Sequence, residues 1–486
     1  MEKLTEKPNL NKKLRIGYIL PDLRPRNTAF VSTALIEFAD TERFDIFCYA
    51  QGGESYLKER VAKKPINWRS LEEKPEFAVQ VVASDRLDYL VDLSSHLSRS
   101  VQAILKRRSA PVQLSTLGYF NTTGIENVDY LLSDRLCTPE NGGHGYFAEK
   151  VIYIPQTFMA YTPRINRESY VSLPLARNGY ITFGCFHHFS RLTDEFLQIW
   201  QRILAKVPKS RLVLKSRIFS NAYGCEETRY RFKRLGYDIS RIDFRAAKLS
   251  DIDEYKNIDI ILDTVPYQGV VTTCDALYMG VPVIAFAGKK HSMRMGCSIL
   301  HQVGLAECVA YDVESYIEKA VSLSDNRYRL ANLHKNLREN MLAAPLMDGV
   351  RYAHNVENIF LYLCESAEKR RSENRLLNEI SNSISGVETK LVFLHGRLVA
   401  GDVSKKSLNV FNEILYTFHN TKLAATKFTN MDMVLLDGLV ASCRMASKKA
   451  EAGNVIKACE EISEHLMPRI KDLLVILDEL KMSTLS

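Results

Sequence analysis

The chain has 486 residues, 46% hydrophobic and 25% charged, with a formal net charge of +8. Such a length holds roughly three ordinary domains, and the composition is that of a globular protein rather than a disordered or fibrous one. Ten scattered cysteines without a CxxC pair argue against disulfides or structural zinc and for a reducing cytoplasm. The charged start MEKLTEKPNLNKK lacks an apolar signal core. No stretch nears the roughly 20 apolar residues of a membrane span, and the short Lys/Arg clusters give no nucleic-acid stripe.

In chain order, residues 1–13 read as a flexible N-terminus. Leu14–Leu20 is a buried strand, followed by a polar loop with two prolines and an apolar helix around Val31–Ala39. Phe44–Ala50 and Leu87–Leu93 read as the second and third strands, and Val112–Leu117, Tyr130–Ser133 and Val151–Ile154 continue the series. Short β-rich runs alternating with helical segments predict a parallel α/β domain over 14–165. A Pro-containing connection, Tyr161–Arg177, leads into a second domain over 166–365. Its strands are Ile181–Phe186, Arg211–Lys215, Ile242–Phe244, Ile258–Leu262 and Val281–Phe286. Two doubly wound Rossmann-like domains that bind ligands at the C-terminal ends of their strands face each other across a cleft. That arrangement suits a glycosyltransferase of the two-Rossmann, GT-B type.

From about Glu365 the pattern changes to 3/4 spacing, and 366–486 reads as an all-α bundle of about four helices. Leu408, Phe411, Leu415 and Phe418 share one helix face, as do Val455, Cys459, Ile462 and Leu466. Gly401-Asp402 and Thr429-Asn430 mark breaks with N-caps. The bundle can pack on the cleft, form a homo-oligomer or hold a partner.

The segment Asp263–Pro282, DTVPYQGVVTTCDALYMGVP, carries the most chemistry. A buried strand halts at a polar, Gly-containing loop, and Thr272, Thr273 and Asp275 sit where a helix begins. Free N–H groups and a partial positive charge at a helix start hold anions, phosphates above all. The plainer alternative is an ordinary Thr-capped helix in a parallel sheet.

With its neighbours, this segment resembles the catalytic region of the O-linked N-acetylglucosamine transferase/SPINDLY family in its bacterial form, without N-terminal tetratricopeptide repeats. The matching stretches run in order: LRIGYILPDL (14–23), RFDIFCYA (43–50), DYLVDLSSHLS (88–98), APVQLSTLGYFNTTGIENVDYLLSD (110–134) and EKVIYIPQTF (149–158). The second domain adds ITFGCFHHFSRLTDEFLQIWQRILAKVPKSRLVLKS (181–216) and DIILDTVPYQGVVTTCDALYMGVPVIAFAGKKHSMRMGCSIL (259–300). The resemblance implies an inverting, metal-independent transfer of a sugar, typically N-acetylglucosamine, from a UDP-sugar to Ser or Thr of a protein acceptor, with no further cofactor. The lone Asp251-Ile-Asp253 pair, at an apparent helix start, offers too few oxygen ligands for a metal.

The resemblance places Lys248 beside the nucleotide, Thr272 and Thr273 at the phosphate-facing helix and Asp275 at a ribose hydroxyl. In the KKHSMRMG turn, Arg294 is read as a second phosphate contact, and His291 beside it as a donor contact or a cap. Three departures stand out. His187, His188 and Arg191 replace an Asn/Gln-rich loop and a lysine, so Arg191 faces the donor phosphate as a planar fork instead of a point charge, and His188, in the glutamine-like position, donates one hydrogen bond to the donor. Arg26-Asn27-Thr28-Ala29-Phe30 lacks the histidines of the first loop, and Phe120-Asn121 replaces a Pro-Gly pair. With the first-loop histidines absent, Asp92, His96 and Asp22 are the candidates for the general base, and Arg191 the catalytic cation. The alternatives are a non-catalytic, transferase-like partner of an acceptor protein or active transferase, a protein N-glycosyltransferase, and the use of another nucleotide sugar.

Overall fold

A computed structural model describes residues 12–20, 29–50, 56–71, 74–94, 98–140, 144–163, 173–189, 192–247, 252–428, 431 and 433–485. Most of the expected N-terminal arm therefore lies outside the described residues. The chain divides into two compact units, Met1–Phe360 and Leu361–Ser486.

The first unit contains two parallel sheets. One is built from β1 (Leu14–Ile19), β2 (Phe44–Ala50), β3 (Asn67–Ser70), β4 (Tyr89–Asp92), β5 (Val112–Ser115), β6 (Tyr130–Ser133) and β7 (Lys150–Tyr153), in the order β3-β2-β1-β4-β5-β6-β7. The other holds β8 (Thr182–Cys185), β9 (Arg211–Ser216), β10 (Ile242–Ala246), β11 (Ile260–Leu262), β12 (Val283–Phe286) and β13 (Val309–Ala310), in the order β10-β9-β8-β11-β12-β13. The sequences explain the arrangement. β1 and β2 are buried at all but their second residue, and β4 and β11 throughout, as strands covered by helices on both faces must be. Helices between them start at real caps: Ser98, Thr193 and Asn221 each accept a first-turn N–H, and Asp312 forms a capping box with Ser315.

Two strands escaped the sequence reading. β3 (NWRS) is a part-exposed edge strand paired only with β2, so it has no apolar run to announce it. β13 is two residues long. The third predicted strand, Leu87–Leu93, shortens to Tyr89–Asp92. Both sheets reverse their strand order once, between β1 and β4 and between β8 and β11. The backbone loops diverge at such a point and open a crevice beyond the strand ends.

The second unit is a bundle built from the remainder of the helix Gly349–Val399, helices Lys405–Ala425 and Met433–Glu451, and a last helical stretch, Val455–Leu485. Leu377, Ile380, Ile384, Val387, Leu391, Leu394 and Leu398 recur at alternating steps of three and four and are buried with Phe411, Ile414 and Phe418, the seam of a packed helix. Ile462 and Leu466 join this core, with Leu415, Val455 and Cys459 packed against it. The last stretch widens into a π turn at Glu461–Leu466. Pro468, just beyond it, has no N–H for the residue 464 carbonyl and crowds the α path. The turn also keeps Ala458, Ile462, Leu466 and Ile470 on one buried face, where three four-residue α steps alone would drift by about 120°. The expected break at 401–402 is present: Gly401 has φ 81°, and Ser404 caps the next helix through the N–H of Ser407. The side chain of Leu408 and the break at 429–430 lie outside the described residues. No helix among the described residues is long and apolar enough to cross a membrane.

Candidate active site

At the reversal of the second sheet, the loop after β11 begins with Asp263, fully buried. Its Oδ1 accepts the N–H groups of Thr264 (2.8 Å) and Gly269 (2.9 Å), which curls the loop back on itself. Core side chains hold it from below: Trp200 Nε1 donates to Tyr316 Oη at 3.2 Å, and Tyr316 Oη donates to the Asp263 carbonyl at 2.9 Å. Gln268 ties the loop to its neighbours, donating to the Phe286 carbonyl (2.6 Å) and accepting the Gly296 N–H (2.8 Å). Gly296 must be glycine for this approach, since a Cβ there would fall 2.6 Å from Asp263 Oδ2.

His187 arrives from β8, the strand beside β11. Its Nε2 lies 3.3 Å from Asp263 Oδ1, and Thr272 Oγ1 lies 3.3–3.4 Å from its two ring nitrogens. The ring covers Gly269, where a Cβ would stand 2.1 Å from His187 Cε1 and 2.4 Å from Thr272 Oγ1. The helix Val271–Tyr278 starts here, and its N-cap, Val270, supplies no side-chain cap. The Thr-capped alternative is thereby removed. Its first turn carries positive partial charge; Lys215, buried near the end of β9, lies 5.3 Å from the Phe186 ring.

The expected site residues separate into groups. Thr272 is half-buried and meets His187 rather than His188, which is exposed. Thr273 is fully buried, its Oγ1 without a hydrogen-bond partner. Asp275 is buried and accepts a 2.6 Å hydrogen bond from Tyr161 Oη, so this carboxylate ties the interdomain connection to the helix instead of lying open to a ribose. His291 Nδ1 sits 2.9 Å from Thr138 Oγ1, with its ring edge-on to Phe147. Burial pushes its pKa down to about 4, leaving it neutral at physiological pH. Arg294 donates to the carbonyls of Leu136 (2.8 Å) and Gly288 (3.0 Å). His291 and Arg294 thus join the end of β6 to the second domain. Asp92, at the reversal of the first sheet, accepts from the N–H (2.8 Å) and hydroxyl (2.7 Å) of Ser94. Asp22, His96, Arg191, Lys248 and Asp251 lie outside the described residues. Asp253 is exposed and pairs with Lys256 at 3.0 Å.

Three anchors were not foreseen. Asp134, after β6, accepts from the N–H groups of Leu136, Cys137 and Phe158 and from Ser298 Oγ of the second domain. Glu149 holds the altered GYFNTTG loop through the Thr122 hydroxyl and the Thr123 N–H. The third is Asp263 with its histidine. The available signal was positional: an acid or histidine immediately after a buried strand lies at the ligand-binding edge of such a sheet.

The profile of glycosyl transferase family 41 matches residues 2–164 and 165–356. The chain belongs to glycosyl transferase family 41. Its similarity to the probable UDP-N-acetylglucosamine–peptide N-acetylglucosaminyltransferase SPINDLY of Solanum lycopersicum is 33% identity over 371 residues, covering 74% of this chain and 39% of the relative. The corresponding SEC protein of Arabidopsis thaliana is 26% identical over 371 residues, covering 72% and 37%. The chain thus spans about two-fifths of the length of these curated relatives. A solved structure of a mutant O-GlcNAc transferase from Thermobaculum terrenum superposes with a TM-score of 0.67 at 28% identity, covering 72% of this chain and 67% of that one. The family's two-domain GT-B architecture accounts for the paired doubly wound sheets.

Proposed function

We propose that this family 41 chain is a cytoplasmic protein glycosyltransferase that moves N-acetylglucosamine from UDP to Ser or Thr of an acceptor protein, inverting the anomeric carbon. Residues 14–165 form the acceptor-side domain, 166–365 the donor domain and 366–486 the helical bundle. The observation that carries the reading is the edge built at the β8/β11 reversal, where His187, Thr272 and an uncapped helix start converge. The donor diphosphate sits there, against first-turn N–H groups, with Lys248 and Arg191 adding the charge that the resemblance assigns to them. As the acceptor oxygen bonds to the sugar C1, the C1–O bond to the diphosphate breaks and its electron pair stays on the phosphate oxygen. Fixed donors and cations stabilise that charge without a metal. The hydroxyl proton passes to a base at the first sheet's reversal, and Asp92 is the candidate among the described residues.

A second reading, a non-catalytic partner of an acceptor or active transferase, draws on Asp275 and Arg294 being taken up by internal hydrogen bonds. Incubation with a panel of UDP-sugars and acceptor proteins, following UDP release and mass addition, separates the two. Transfer is the expected outcome, with Asp92→Asn slowing it about 100-fold at unchanged UDP affinity. Donor binding without turnover favours the partner role, and no binding of any nucleotide sugar sinks both. A near-normal rate in Asp92→Asn removes that residue as the base.

A further inference from the structure

Two helices packed on each other in the first unit, Pro75–Ser84 and Arg99–Lys106, end in the same unusual way. Each runs into one capping residue, Asp85 or Arg107, and then into an arginine with left-handed backbone: Arg86 at φ 45° and Arg108 at φ 49°. That position is ordinarily glycine, because a side chain strains the backbone there. Both arginines line one groove of about 520 Å³, together with buried Leu87 and Ala110, exposed Pro111 and Asp88. These residues precede β4 and β5, so the groove opens at the N-terminal edge of the first sheet, at the other end of the strands from Asp92.

The groove's own acids are already taken. Asp88 accepts the Arg15 N–H at 2.8 Å, and Asp129 accepts the Gln113 N–H and pairs with Arg108 at 2.9 Å. Arg43, Arg60, Arg69 and Arg135 of the same domain each meet a carboxylate as well. Arg86 differs. It is exposed, as are Lys106 and Arg107 beside Arg108, and among the described residues none of these three cationic ends meets an acceptor. Glu126 is the exposed acid nearby, next to Asn127, which accepts from Arg108. A cation needed only to complement a helix C-terminus can stand in the last turn, as Lys106 does, without a left-handed backbone.

We propose that this groove docks an extended acidic segment of a partner protein, with Arg86, Lys106 and Arg107 taking its carboxylates and Leu87, Ala110 and Pro111 packing against its stem. Guanidinium groups hold carboxylates through paired, charge-assisted hydrogen bonds. A surplus of three cations suits a few spaced carboxylates, whereas nucleic-acid binding commonly engages about 6–10 phosphates. The surface lies away from the donor and acceptor edges, so its assignment does not depend on the transferase reading.

The test is fluorescence anisotropy of the full chain with a labelled peptide that alternates Glu and Ser, beside a Gln-Ser peptide of equal length. The Glu-Ser peptide should bind and the Gln-Ser peptide should not. Combining Arg86→Gly, Lys106→Gln and Arg107→Gln should weaken binding about tenfold. The same loss of charge at Lys369, Arg370 and Arg371 should leave it unchanged. Arg86→Gly alone should weaken binding about threefold yet raise the midpoint of urea unfolding, because glycine takes a left-handed φ without strain. An arginine kept only for the fold would not separate those two readouts. The proposal is overturned if the Glu-Ser peptide binds no better than its Gln-Ser counterpart, or if the triple variant binds it as tightly as wild type. Displacement of the peptide by UDP overturns it too, by placing the peptide at the donor edge. Tighter binding of an oligothymidine of equal charge overturns it in favour of a nucleic-acid surface.

Discussion

The C-terminal edges of the two sheets share one topology and differ in what their polar side chains do. On the first edge, two carboxylates are taken up by the chain's own donors at both oxygens: Asp134 by three N–H groups and a hydroxyl, and Glu149 by the GYFNTTG loop. On the second edge, the pair His187–Asp263 is left with an open imidazole edge, an uncapped helix start and two glycines that clear space around it. The same fold thus makes a frame on one side and a receptacle on the other. What decides between them is whether the buried charge is closed off by local backbone donors or left to a side chain that faces outward.

Three perturbations sharpen this contrast. The largest effect should come from Asp134→Ala, which strands three N–H groups and the Ser298 hydroxyl. We expect a loss of about 3–5 kcal/mol in urea unfolding, and a loss under 1 kcal/mol would show that the first edge is not a frame. Next is Glu357, buried in the first unit with one oxygen accepting the Asp40 N–H at 2.7 Å and the other unpartnered. Burial raises its pKa from 4.5 to about 7, so the folded state holds a proton that the unfolded chain releases. Its stabilising contribution is full below about pH 4.5 and is lost as pH rises through about 7, roughly 3 kcal/mol in all. Urea midpoints compared with Glu357→Gln should therefore converge at acid pH and separate above neutrality, with the variant the more stable, and a constant difference would refute the assignment. The smallest effect falls on the receptacle. Gly269→Ala forces a methyl group into His187 and Thr272 and should weaken UDP binding at least tenfold while costing only about 1 kcal/mol of stability; unchanged affinity would separate the loop from the donor site.

Much of this was legible in the order of residues. Buried strands such as FDIFCYA and YLLS announce themselves because a parallel strand is apolar on both faces, and the 3/4 seam after residue 365 does the same for the bundle. The helix start at Thr272 was visible from the strand–loop–hydroxyl succession. The edge strand Asn67–Ser70 was hidden because a strand with one partner and part-exposed faces needs no apolar code. The site residues were less legible still. Asp275, Arg294 and His291 carry the right chemistry for a donor site, yet their partners (Tyr161, the carbonyls of Leu136 and Gly288, and Thr138) come from other segments. Conversely, His187 and Asp263 look ordinary until β8 and β11 are laid side by side.

The sequence by itself determined the two α/β series, the helical bundle and the family, because each of these rests on local periodicity or an ordered set of motifs. Only the tertiary structure decided which polar groups remain available to a ligand. A carboxylate or imidazole is defined chemically by its own residue, but its charge, reach and freedom are set by donors that the fold brings from distant parts of the chain.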